Sequence, residues 1–419
     1  MKKLNILIIG GGGRENALAW KIAQSPKCKK LYAMPGNPGI SEFAECVADE
    51  PILNFAKKNS IDLVVIGPEA SLVEGLADEL TAAGIKTFGP NKAAAQIEGS
   101  KIFAKNLMKK YNIPTATYEI FEDVTRACRY IKAAGAPIVV KADGLAAGKG
   151  VIVAKTVDEA INAVFEVMEQ KNFGDAGNRI VIEEFMDGEE ASLLAFTDGK
   201  TIIPMIPSQD HKRVNDGDEG LNTGGMGAYA PAPIMTEEII KKAEEKILKP
   251  IIAALNNEGI TYKGCLYAGL MIVNGEPKVV EFNARFGDPE TQVVLPLLES
   301  DLVEIILSCI DGTLEDQKIS WSNDSAVCVV LASKGYPQKF EKGFEIDGLN
   351  KAKSLDTLIF HAGTKKVDDK ILTNGGRVLG VVAKSENIKS AVDKAYKAAE
   401  VIHFENMHFR KDIAHRALK

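Results

Sequence analysis

The segment KVVEFNARFGDPE carries polar side chains at alternate positions. If it forms a strand, Glu281, Asn283 and Arg285 project from one face. Val280 and Phe282 then point into the core. A carboxylate and an amide oxygen suit Mg²⁺, which takes one or two protein ligands and completes its octahedron with water and phosphate oxygens. Arg285 could bind a carboxylate through two parallel hydrogen bonds. The segment therefore predicts a metal and carboxylate site, with the solvated face of an edge strand as the alternative.

A second candidate site is the segment VVKADGLAAGKGV. Lys141 lies on a predicted strand, and the loop that follows, 143–150, carries three glycines and Lys149. Such a loop can close over a polyphosphate with backbone donors and one cation. It is not a Walker A motif, because only three residues separate its first two glycines and Gly150 stands where Ser or Thr is required. The alternative is a surface hairpin without a ligand.

The segment VIEEFMDGEEAS combines a strand with an acidic turn. The backbone of residues 183–186 could offer hydrogen bonds to an adenine, and Glu190 could bind ribose hydroxyls. Taken alone, the segment is also typical of an ordinary acidic surface.

The glycine run in NILIIGGGGRENAL does not complete a dinucleotide fingerprint. That fingerprint needs G-x-G-x-x-G/A and an acidic residue about 20 positions later. Asn16 or Glu15 falls in the third place, and the next strand ends in AMPGN without an acid. A Rossmann dehydrogenase is therefore disfavoured. N–H groups of residues 11–13 at a helix N-terminus, beside Arg14, instead predict a cradle for one phosphate, with a tight turn that binds nothing as the alternative.

Alternating strands and helices must position these segments. In the first hundred residues the apolar runs NILIIG, KLYAMPGN, IDLVVIGPEA and IKTFGP alternate with helical patterns, which predicts a mostly parallel sheet. The loops at 10–13, 35–39, 67–69 and 89–91 would gather at the carboxyl ends of the strands, where such sheets bind ligands.

Beyond residue 100 the pattern changes. A helix is predicted with Ser100 as its N-cap, and another over about 236–256. Asn274-Gly275 predicts a hairpin turn. The polar stretch 208–233 is predicted as a long functional loop. A strand-rich segment and a final helix follow from about residue 320.

Composition limits the class of protein. The 419 residues correspond to about three domains of ~150 residues each. A chain with 46% hydrophobic and 26% charged residues is typical of soluble globular proteins, and a net charge of −6 argues against a non-specific nucleic-acid binder. No apolar run reaches the ~20 residues of a membrane span, and the first run is too short for a secretory signal. Six cysteines without a CxxC pair fit a reducing cytoplasm.

Taken together and in order, these segments resemble the ATP-grasp ligases and, among them, the phosphoribosylamine–glycine ligase family. The resemblance runs nearly end to end and rests on GGGGREN, PGNPG, GPEASLVEG, EGSKIFAK, KADGLAAGKGV, IEEFMDGEEAS, SQDHKR, NTGGMGAYAP, EFNARFGDPETQ, FHAGTK, TNGGRVLGV and FRKDI. It implies an α/β fold of ATP-grasp architecture. An amino-terminal Rossmann-like (pre-ATP-grasp) parallel-sheet domain for substrate would occupy 1–100. The ATP-grasp domain would occupy 101–310, with a lid at about 115–190, and a small strand-rich carboxy-terminal domain 320–419.

The resemblance implies an ATP-dependent carbon–nitrogen ligase of de novo purine biosynthesis. ATP would phosphorylate the carboxylate of glycine, and the amine of 5-phosphoribosylamine would attack the glycyl phosphate to give glycinamide ribonucleotide, ADP and phosphate. The residues agree, because phosphoryl transfer needs charge neutralisation rather than a covalent nucleophile. A cytoplasmic monomer or weak homo-oligomer without nucleic-acid or membrane partners is expected. Since the sequence ends soon after FRKDI, a free-standing enzyme is expected.

The resemblance also implies roles for single residues. The expected catalytic residues are Arg285, which would hold the acyl phosphate, Asp210, which would position glycine, and Lys141. The expected ATP contacts are Lys101, Lys141 and Lys149 at the phosphates, Glu183, Glu184, Phe185 and Met186 at the adenine, and Glu190 at the ribose. Glu281 and Asn283 would bind Mg²⁺, or Mn²⁺ as its substitute. The expected substrate contacts are Gly11, Gly12, Gly13, Arg14, Asn37 and Glu69 for phosphoribosylamine, and Asn222, Thr223, Gly224 and Gly225 for glycine.

Two alternatives stay open. Other ATP-grasp carboxylate–amine ligases or carboxylases, such as biotin carboxylase-like and aminoimidazole ribonucleotide carboxylase-like proteins, share the nucleotide motifs but as a rule lack SQDHKR and NTGGMGAYAP. A nucleotide-binding regulatory protein without catalysis is disfavoured by the presence of Lys141 and Arg285 together with both metal ligands. The sequence departs from the family pattern at Asn16, where many relatives have His. The strand LYAGLMIV has no acidic metal ligand, so ATP and water would complete the coordination.

Overall fold

The computed structural model describes residues 2–145, 150–170 and 174–418. The amino-terminal part of the chain forms a sheet flanked by helices. Its elements are β1 (Leu4–Gly10), α1 (Gly13–Ile22), β2 (Cys28–Pro35), β3 (Glu45–Cys46), α2 (Ile52–Lys58), β4 (Leu63–Ile66), α3 (Glu69–Glu74), α4 (Leu76–Ala82), β5 (Lys86–Phe88) and α5 (Lys92–Gly99). The strand order is β3-β2-β1-β4-β5 with parallel neighbours, which confirms the predicted parallel sheet. The two-residue edge strand β3 has no signal in the sequence.

An antiparallel sheet covered by two helices follows helix α6 (Lys101–Lys110). Ser100 Oγ accepts a hydrogen bond from the Phe103 amide at 3.1 Å, which confirms the predicted N-cap. The elements are β6 (Tyr118–Phe121), α7 (Val124–Ala134), β7 (Ile138–Ala142), β8 (Val151–Ala154), α8 (Val157–Met168) and β9 (Ile180–Glu184), in the strand order β6-β9-β7-β8. Apolar side chains of α7 and α8 pack on one face of this sheet, so alternate residues of its strands project from the other face.

A second antiparallel sheet and a group of short strands come next. The elements are β10 (Glu189–Thr197), β11 (Ile202–Pro204), β12 (Gln209–Asp210), β13 (Arg213–Asn215), β14 (Glu219–Asn222), β15 (Gly227–Ala230), α9 (Glu237–Ala243), α10 (Lys249–Asn257), β16 (Gly264–Val273) and β17 (Glu276–Asn283). The sheet order is β11-β10-β16-β17. The predicted helix over about 236–256 is present as α9 and α10, joined by a π-helical turn (Glu244–Leu248).

The hairpin prediction is confirmed and the loop prediction is partly wrong. Asn274 and Gly275 have φ values of 52° and 76°, as a two-residue hairpin turn of this type requires. The polar stretch 208–233 is not a continuous loop, because it forms β12 to β15. Strands β12 and β15 find their hydrogen-bond partners in the carboxy-terminal sheet, and pairing with a distant strand leaves no local pattern.

The carboxy-terminal part is strand-rich and contains a late helix, as predicted. Its elements, with the preceding helices, are α11 (Thr291–Val294), α12 (Leu302–Asp311), β18 (Ser325–Ser333), α13 (Leu349–Lys353), β19 (Leu358–His361), β20 (Thr364–Val367), β21 (Lys370–Thr373), β22 (Arg377–Ser385), α14 (Ile388–Ala399) and β23 (Met407–His408). The main sheet has the order β12-β15-β18-β22-β19, and β23 pairs with β18. Within the described ranges, every helix is too short or too polar to cross a membrane.

Candidate active site

One cavity of about 1080 Å³ is lined by residues from every part of the fold. The predicted site residues that line it are Arg14, Glu69, Lys101, Lys141, Glu183, Glu184, Phe185, Met186, Glu190, Asp210, Asn222, Thr223, Gly224, Glu281, Asn283 and Arg285. Among the described residues, the lining does not include Gly11, Gly12, Gly13, Asn37 or Gly225. Lys149 lies outside the described residues. The volume suffices for a nucleotide and a second small molecule, since ligand pockets typically measure about 300–1,000 Å³.

Two buried lysines share one carboxylate on the cavity face of the sheet that contains β7 and β9. Alternation along β7 directs Lys141 toward the cavity. Its ammonium lies 2.9 Å from Glu183 Oε2 and donates to the Val280 carbonyl at 3.0 Å. Lys105, on α6, lies 3.1 Å from the same Glu183 oxygen. With all three groups ionised the cluster carries one net positive charge, which suits a phosphate ligand.

Lys105 supports the site through Glu183 without lining the cavity, and the sequence did not predict this role. Burial, the largest cause, and the nearby charge of Lys141 lower the pKa of Lys105 to about 8, although the Glu183 carboxylate opposes them. Lys101, the residue assigned from the sequence, instead lies 3.4 Å from Glu281 Oε2. The two lysines are four residues apart on one helix face, but this spacing is too common among helical lysines to identify Lys105 from the sequence.

The end of β9 provides a candidate adenine site. Glu183 Oε1 is buried and has no hydrogen-bond partner among the residues that the structure describes, so it can accept a hydrogen bond from the amino group of a base. Glu184 and Met186 line the same wall, and the side chain of Phe185 between them is 40% exposed. An exposed aromatic ring beside unused hydrogen-bonding groups suits a heteroaromatic ligand. The residues present therefore fit a nucleotide.

Glu281 and Asn283, on β17, form the candidate metal site. Burial alone would raise the pKa of Glu281, but the charges of Lys101, Lys212 and other cations lower it to about 2. Glu281 is therefore ionised at neutral pH. An ionised carboxylate beside an amide oxygen is a donor set that fits Mg²⁺ or Mn²⁺.

The predicted orientation of Val280 was wrong. Phe282 is buried in the core, as predicted. A register shift between β16 and β17 at Gly269 and Leu270 places Val279 in the core and Val280 in the cavity wall. An extra residue in one strand interrupts the alternation of side chains, and a regular two-residue period cannot reveal it.

Arg285 is held by two acids from the amino-terminal part of the chain. Its Nη2 lies 2.9 Å from Glu98 Oε1, and its Nε lies 3.4 Å from Glu69 Oε2. Burial disfavours the guanidinium charge, but the two carboxylates outweigh this effect and raise the pKa of Arg285 above its usual value. Glu98 also accepts a hydrogen bond from the Ala284 amide at 2.6 Å. The sequence reasoning missed Glu98, although the EGSKIFAK motif begins with it.

Asp210 and Glu190 lie on either side of Lys212 in the cavity wall. Lys212 Nζ donates to Glu190 Oε2 at 2.6 Å, and this charge, the largest cause, lowers the pKa of Glu190. Burial, the largest cause, raises the pKa of Asp210 to about 7, and the negative charges of Glu290 and Glu190 add to the rise. Lys212 and Glu290 are further residues that the sequence reasoning did not assign.

The carboxy-terminal part fixes the glycine-rich loop at 222–225. Arg377 Nη1 donates to the carbonyls of Gly224 and Asp288, at 2.6 Å and 2.8 Å. The Gly224 amide donates to the Tyr336 hydroxyl at 2.9 Å. Arg377 and Tyr336 also line the cavity, so TNGGRVLGV contributes to the site from a different domain.

Two predicted substrate residues use their polar groups within the fold. The Thr223 hydroxyl donates to the Lys212 carbonyl at 2.8 Å and accepts from the Gly225 amide at 2.9 Å. The Asn37 amide group donates to the Gly11 carbonyl at 2.9 Å and the His361 carbonyl at 2.8 Å. Asn37 is 8% exposed, so its geometry is that of a residue that supports the loop.

Carboxylates of the protein occupy the predicted phosphate cradle. The Gly12 amide donates to Glu15 Oε2 at 2.7 Å, and the Arg14 amide donates to Asp288 Oδ2 at 3.4 Å. The Arg14 guanidinium itself lies 2.5 Å from Glu15. A phosphate would have to compete with these carboxylates, so a binding role for this loop stays a prediction, and Arg14 and Glu69 are its members that reach the cavity.

His211, Asp218 and His415 have the composition of a metal site but not the required lone pairs and charge. His211 Nε2 accepts a hydrogen bond from the Ala414 amide at 3.0 Å, which places the proton of a neutral ring on Nδ1. The Asp218 carboxylate accepts hydrogen bonds from Arg410 at 2.9 Å and from another arginine. Two guanidinium groups already neutralise the acid, so the cluster is an internal ion-pair network.

The lysine-bearing sheet and the sheet that carries Glu281 and Asn283 face one cavity, and this arrangement defines an ATP-grasp protein. The predicted architecture is thereby confirmed. The chain belongs to the phosphoribosylglycinamide synthetase family, whose N domain matches residues 4–98, ATP-grasp (A) domain residues 99–291 and C domain residues 326–416.

Several similar proteins are named phosphoribosylamine–glycine ligase. Phosphoribosylamine–glycine ligase of Halalkalibacterium halodurans is 50% identical over 420 residues, which cover 99% of this chain and 97% of that protein. The ligase of Pasteurella multocida is 51% identical over a match that covers 99% of this chain and 98% of that protein. The crystal structure of the Thermotoga maritima ligase matches with a TM-score of 0.87 and 36% identity over 98% of this chain and all of that one. The biotin carboxylase domain of Hydrogenobacter thermophilus 2-oxoglutarate carboxylase was solved with MgADP and bicarbonate. It matches with a TM-score of 0.73 but only 15% identity, over 98% of this chain and 92% of that chain. It shares the fold alone.

Proposed function

We propose that this chain joins glycine to 5-phosphoribosylamine, converting ATP to ADP and phosphate and giving glycinamide ribonucleotide for purine biosynthesis. The observation that carries the proposal is that enzymes named phosphoribosylamine–glycine ligase match 99% of the chain at about half identity. A carboxylase of the biotin carboxylase type is not favoured, since its similarity is confined to the fold.

The reaction has two displacements. A carboxylate oxygen of glycine attacks the γ-phosphorus of ATP, the bond to the ADP oxygen breaks, and glycyl phosphate forms. The amine nitrogen of phosphoribosylamine then attacks the carbonyl carbon, the bond to phosphate breaks, and the nitrogen loses a proton as the amide forms. The first step makes the carboxylate electrophilic, and both steps develop negative charge on phosphate oxygens, which fixed cations stabilise.

The cations of the cavity supply that stabilisation. We assign Lys141 and Lys101 to the phosphates of ATP, because both line the cavity, with the Lys141 ammonium group at the Val280 carbonyl and the Lys101 ammonium group 3.4 Å from Glu281. Lys149, which lies outside the described residues, is a third assigned contact. Arg285 would hold the carboxylate and then the acyl phosphate, since Glu98 and Glu69 keep its guanidinium charged and oriented.

Glu281 and Asn283 would hold Mg²⁺, or Mn²⁺ in its place. When bound, such an ion neutralises charge on the transferring phosphates. Two neighbouring cations act on these ligands whichever ion is bound. Lys101 helps to keep Glu281 ionised, and Arg285 Nη2 donates to Asn283 Oδ1 at 3.3 Å, which fixes the position of that amide oxygen.

The remaining assignments are also proposals. Adenine would lie against Glu183 and residues 184–186, with the ribose at Glu190. Asp210 and the loop 222–225 would position glycine. Phosphoribosylamine would enter between the amino-terminal residues, chiefly Arg14 and Glu69, and the carboxy-terminal wall. A cytoplasmic monomer or weak homo-oligomer, divided near residues 100 and 310–320, fits this scheme.

The test is an ADP-release assay with purified protein, ATP, Mg²⁺, glycine and freshly prepared phosphoribosylamine. We expect release that requires glycine and the amine together, with glycinamide ribonucleotide formed in equal amount. Release that requires bicarbonate and not glycine would overturn the proposal. The absence of turnover with every substrate combination would favour a nucleotide-binding regulatory protein.

A further inference from the structure

Two buried acids, Asp210 and Glu290, face the cavity. Asp210 is 7% exposed and Glu290 is 3% exposed, yet both line the cavity. Asp210 is fixed by the backbone pairing of β12 with β15. Its carboxylate has no hydrogen bond or ion pair with any residue in the ranges 2–145, 150–170 and 174–418. A buried carboxylate without a partner is costly, so this one is available to a ligand.

Glu290 presents one carboxylate oxygen to the protein and keeps the other free. Its Oε1 accepts hydrogen bonds from the Tyr267 hydroxyl at 2.7 Å and from Ser192 Oγ at 3.3 Å. No protein donor within the described ranges contacts Oε2. A Cβ at Gly287 would collide with Oε2, so the glycine of the FGDPE motif creates the space that this oxygen occupies. The orientation of Glu290 is therefore built by the surrounding residues.

The charges around these acids leave an excess of negative charge. The carboxylates of Glu290 and Glu190 both act on Asp210. Lys212 opposes them, but its ammonium group donates to Glu190 at 2.6 Å. Arg416 also opposes them, but its guanidinium donates to Asp218 at 2.7 Å. A cationic ligand group beside Asp210 would supply the missing positive charge.

We infer that Asp210 and Glu290 together bind the ammonium group of the amino-acid substrate. The inference rests on the proposed function and adds Glu290 as a binding residue, with Ser192 and Tyr267 as positioning residues. An ammonium group has three N–H donors, and the free oxygens of the two acids accept two of them.

The position of Arg285 agrees with this assignment. Asp210, Glu290 and Arg285 line the same cavity, and the Glu290 charge acts on both Arg285 and Asp210. One cavity that holds acids for the ammonium group and a guanidinium for the carboxylate suits a zwitterion such as glycine. A site with two such acids also discriminates against a hydroxy acid, because glycolate would leave both carboxylates without a cation.

Steady-state kinetics of Glu290→Gln and Asp210→Asn test the inference. Glutamine keeps an oxygen that can accept from Tyr267 and Ser192, so only the charge and the free oxygen are lost. We expect the KM for glycine to rise roughly 10- to 100-fold, as expected for the loss of a charge-assisted hydrogen bond. The KM values for ATP and phosphoribosylamine should stay within about twofold, since neither substrate carries the ammonium group.

Two controls make the result specific. Glu276→Gln is the matched variant, because Glu276 lies beside the exposed hairpin turn and pairs with Lys242 at 2.8 Å; all its KM values should equal those of the unmodified protein. Calorimetric titrations with glycine and with glycolate, on protein loaded with a non-hydrolysable ATP analogue, give a readout without turnover. The ratio of the affinity for glycine to the affinity for glycolate should fall toward one in Glu290→Gln and in Asp210→Asn.

Three outcomes separate the explanations. An unchanged KM and affinity for glycine in both variants would overturn the inference while leaving the proposed function intact. A raised Mg²⁺ requirement with unchanged glycine affinity would overturn it in favour of metal binding by Glu290. ADP release without glycine by the unmodified protein would instead overturn the proposed function.

Discussion

Replacing Glu183 with Gln tests whether one carboxylate stabilises both buried lysines. The ammonium groups of Lys141 and Lys105 lie 2.9 Å and 3.1 Å from the same oxygen, so the two nitrogens are at most about 6 Å apart. At an effective dielectric constant of about 20, each contact with Glu183 corresponds to about 5 kcal/mol of attraction, and the two cations repel each other by at least about 3 kcal/mol, which reaches only about 4 kcal/mol at a separation of about 4 Å. Attraction therefore dominates, and its loss leaves two unpaired cations in a buried place.

We expect Lys105 to lose its proton in the Glu183→Gln variant. The pKa of Lys105 is already lowered to about 8 by burial, and loss of the carboxylate moves it well below 7. In the unfolded chain the pKa keeps its ordinary value of 10.5. Between these values the unfolded variant binds one proton more than the folded variant, so its stability rises with pH by up to about 1.4 kcal/mol per pH unit. In the unmodified protein both states hold the proton below about pH 8, and Lys105 contributes no such slope.

Urea unfolding at about pH 6, 7 and 8 measures this dependence. We expect Glu183→Gln to lower the free energy of unfolding by about 3–5 kcal/mol at pH 7, with a deficit that shrinks toward pH 8. The double variant Glu183→Gln/Lys105→Met is the control, because it has no amine at position 105 to titrate and should lose the slope. A deficit that is the same at pH 6 and at pH 8 would refute the reasoning.

Three further predictions concern other charged groups. Glu281→Gln should raise the Mg²⁺ concentration for half-maximal activity at least roughly tenfold, because an amide replaces the ionised ligand; a metal titration at saturating ATP with no shift would contradict the metal assignment. Burial lowers the pKa of His361 to about 4, so its neutral form contributes stability above pH 6.5 that is lost as the pH falls toward 4. Between these pH values the free energy of unfolding of the unmodified protein should fall by up to about 3 kcal/mol more than that of His361→Gln. Parallel pH profiles for the two proteins would rule this out. Arg410→Met should cost about 3–5 kcal/mol in urea unfolding, because its fully buried guanidinium pairs with Asp218 and Asp412; a loss below about 1 kcal/mol would show that these acids find other partners.

Local patterns were sufficient to predict much of this fold. The buried strand β1, the Ser100 cap and the Asn274-Gly275 turn depend on residues close in sequence, and their structures follow from those residues. The strand β15 pairs with β18, about a hundred residues away, and β12 joins the same sheet only by pairing with β15, so no local pattern encodes either strand. The bulge that moves Val280 to the cavity is likewise a property of the pairing with β16.

The candidate site likewise contains residues that local patterns predict and residues that only the fold reveals. Residues with a distinctive motif, such as Lys141, Glu281 and Arg285, were predicted and line the cavity. Their supporting partners were not predicted, because Lys105 and Glu98 are ordinary charged residues on helices until the fold places them against Glu183 and Arg285. A single sequence identifies groups with a recurring chemical pattern, whereas the charges that tune those groups become visible only with the geometry.

The bonds from Arg377 to the carbonyls of Gly224 and Asp288 have a consequence for biosynthesis of the chain itself. A ribosome releases the strands that carry Lys141 and Glu281 well before it adds Arg377. Until then both carbonyls lack this donor, and the cavity lacks the wall that contains Tyr336 and Arg377. A polypeptide interrupted at that stage would have the strands that carry Lys141 and Glu281 but would lack this wall of the cavity. Completion of the cavity therefore depends on translation having passed this arginine.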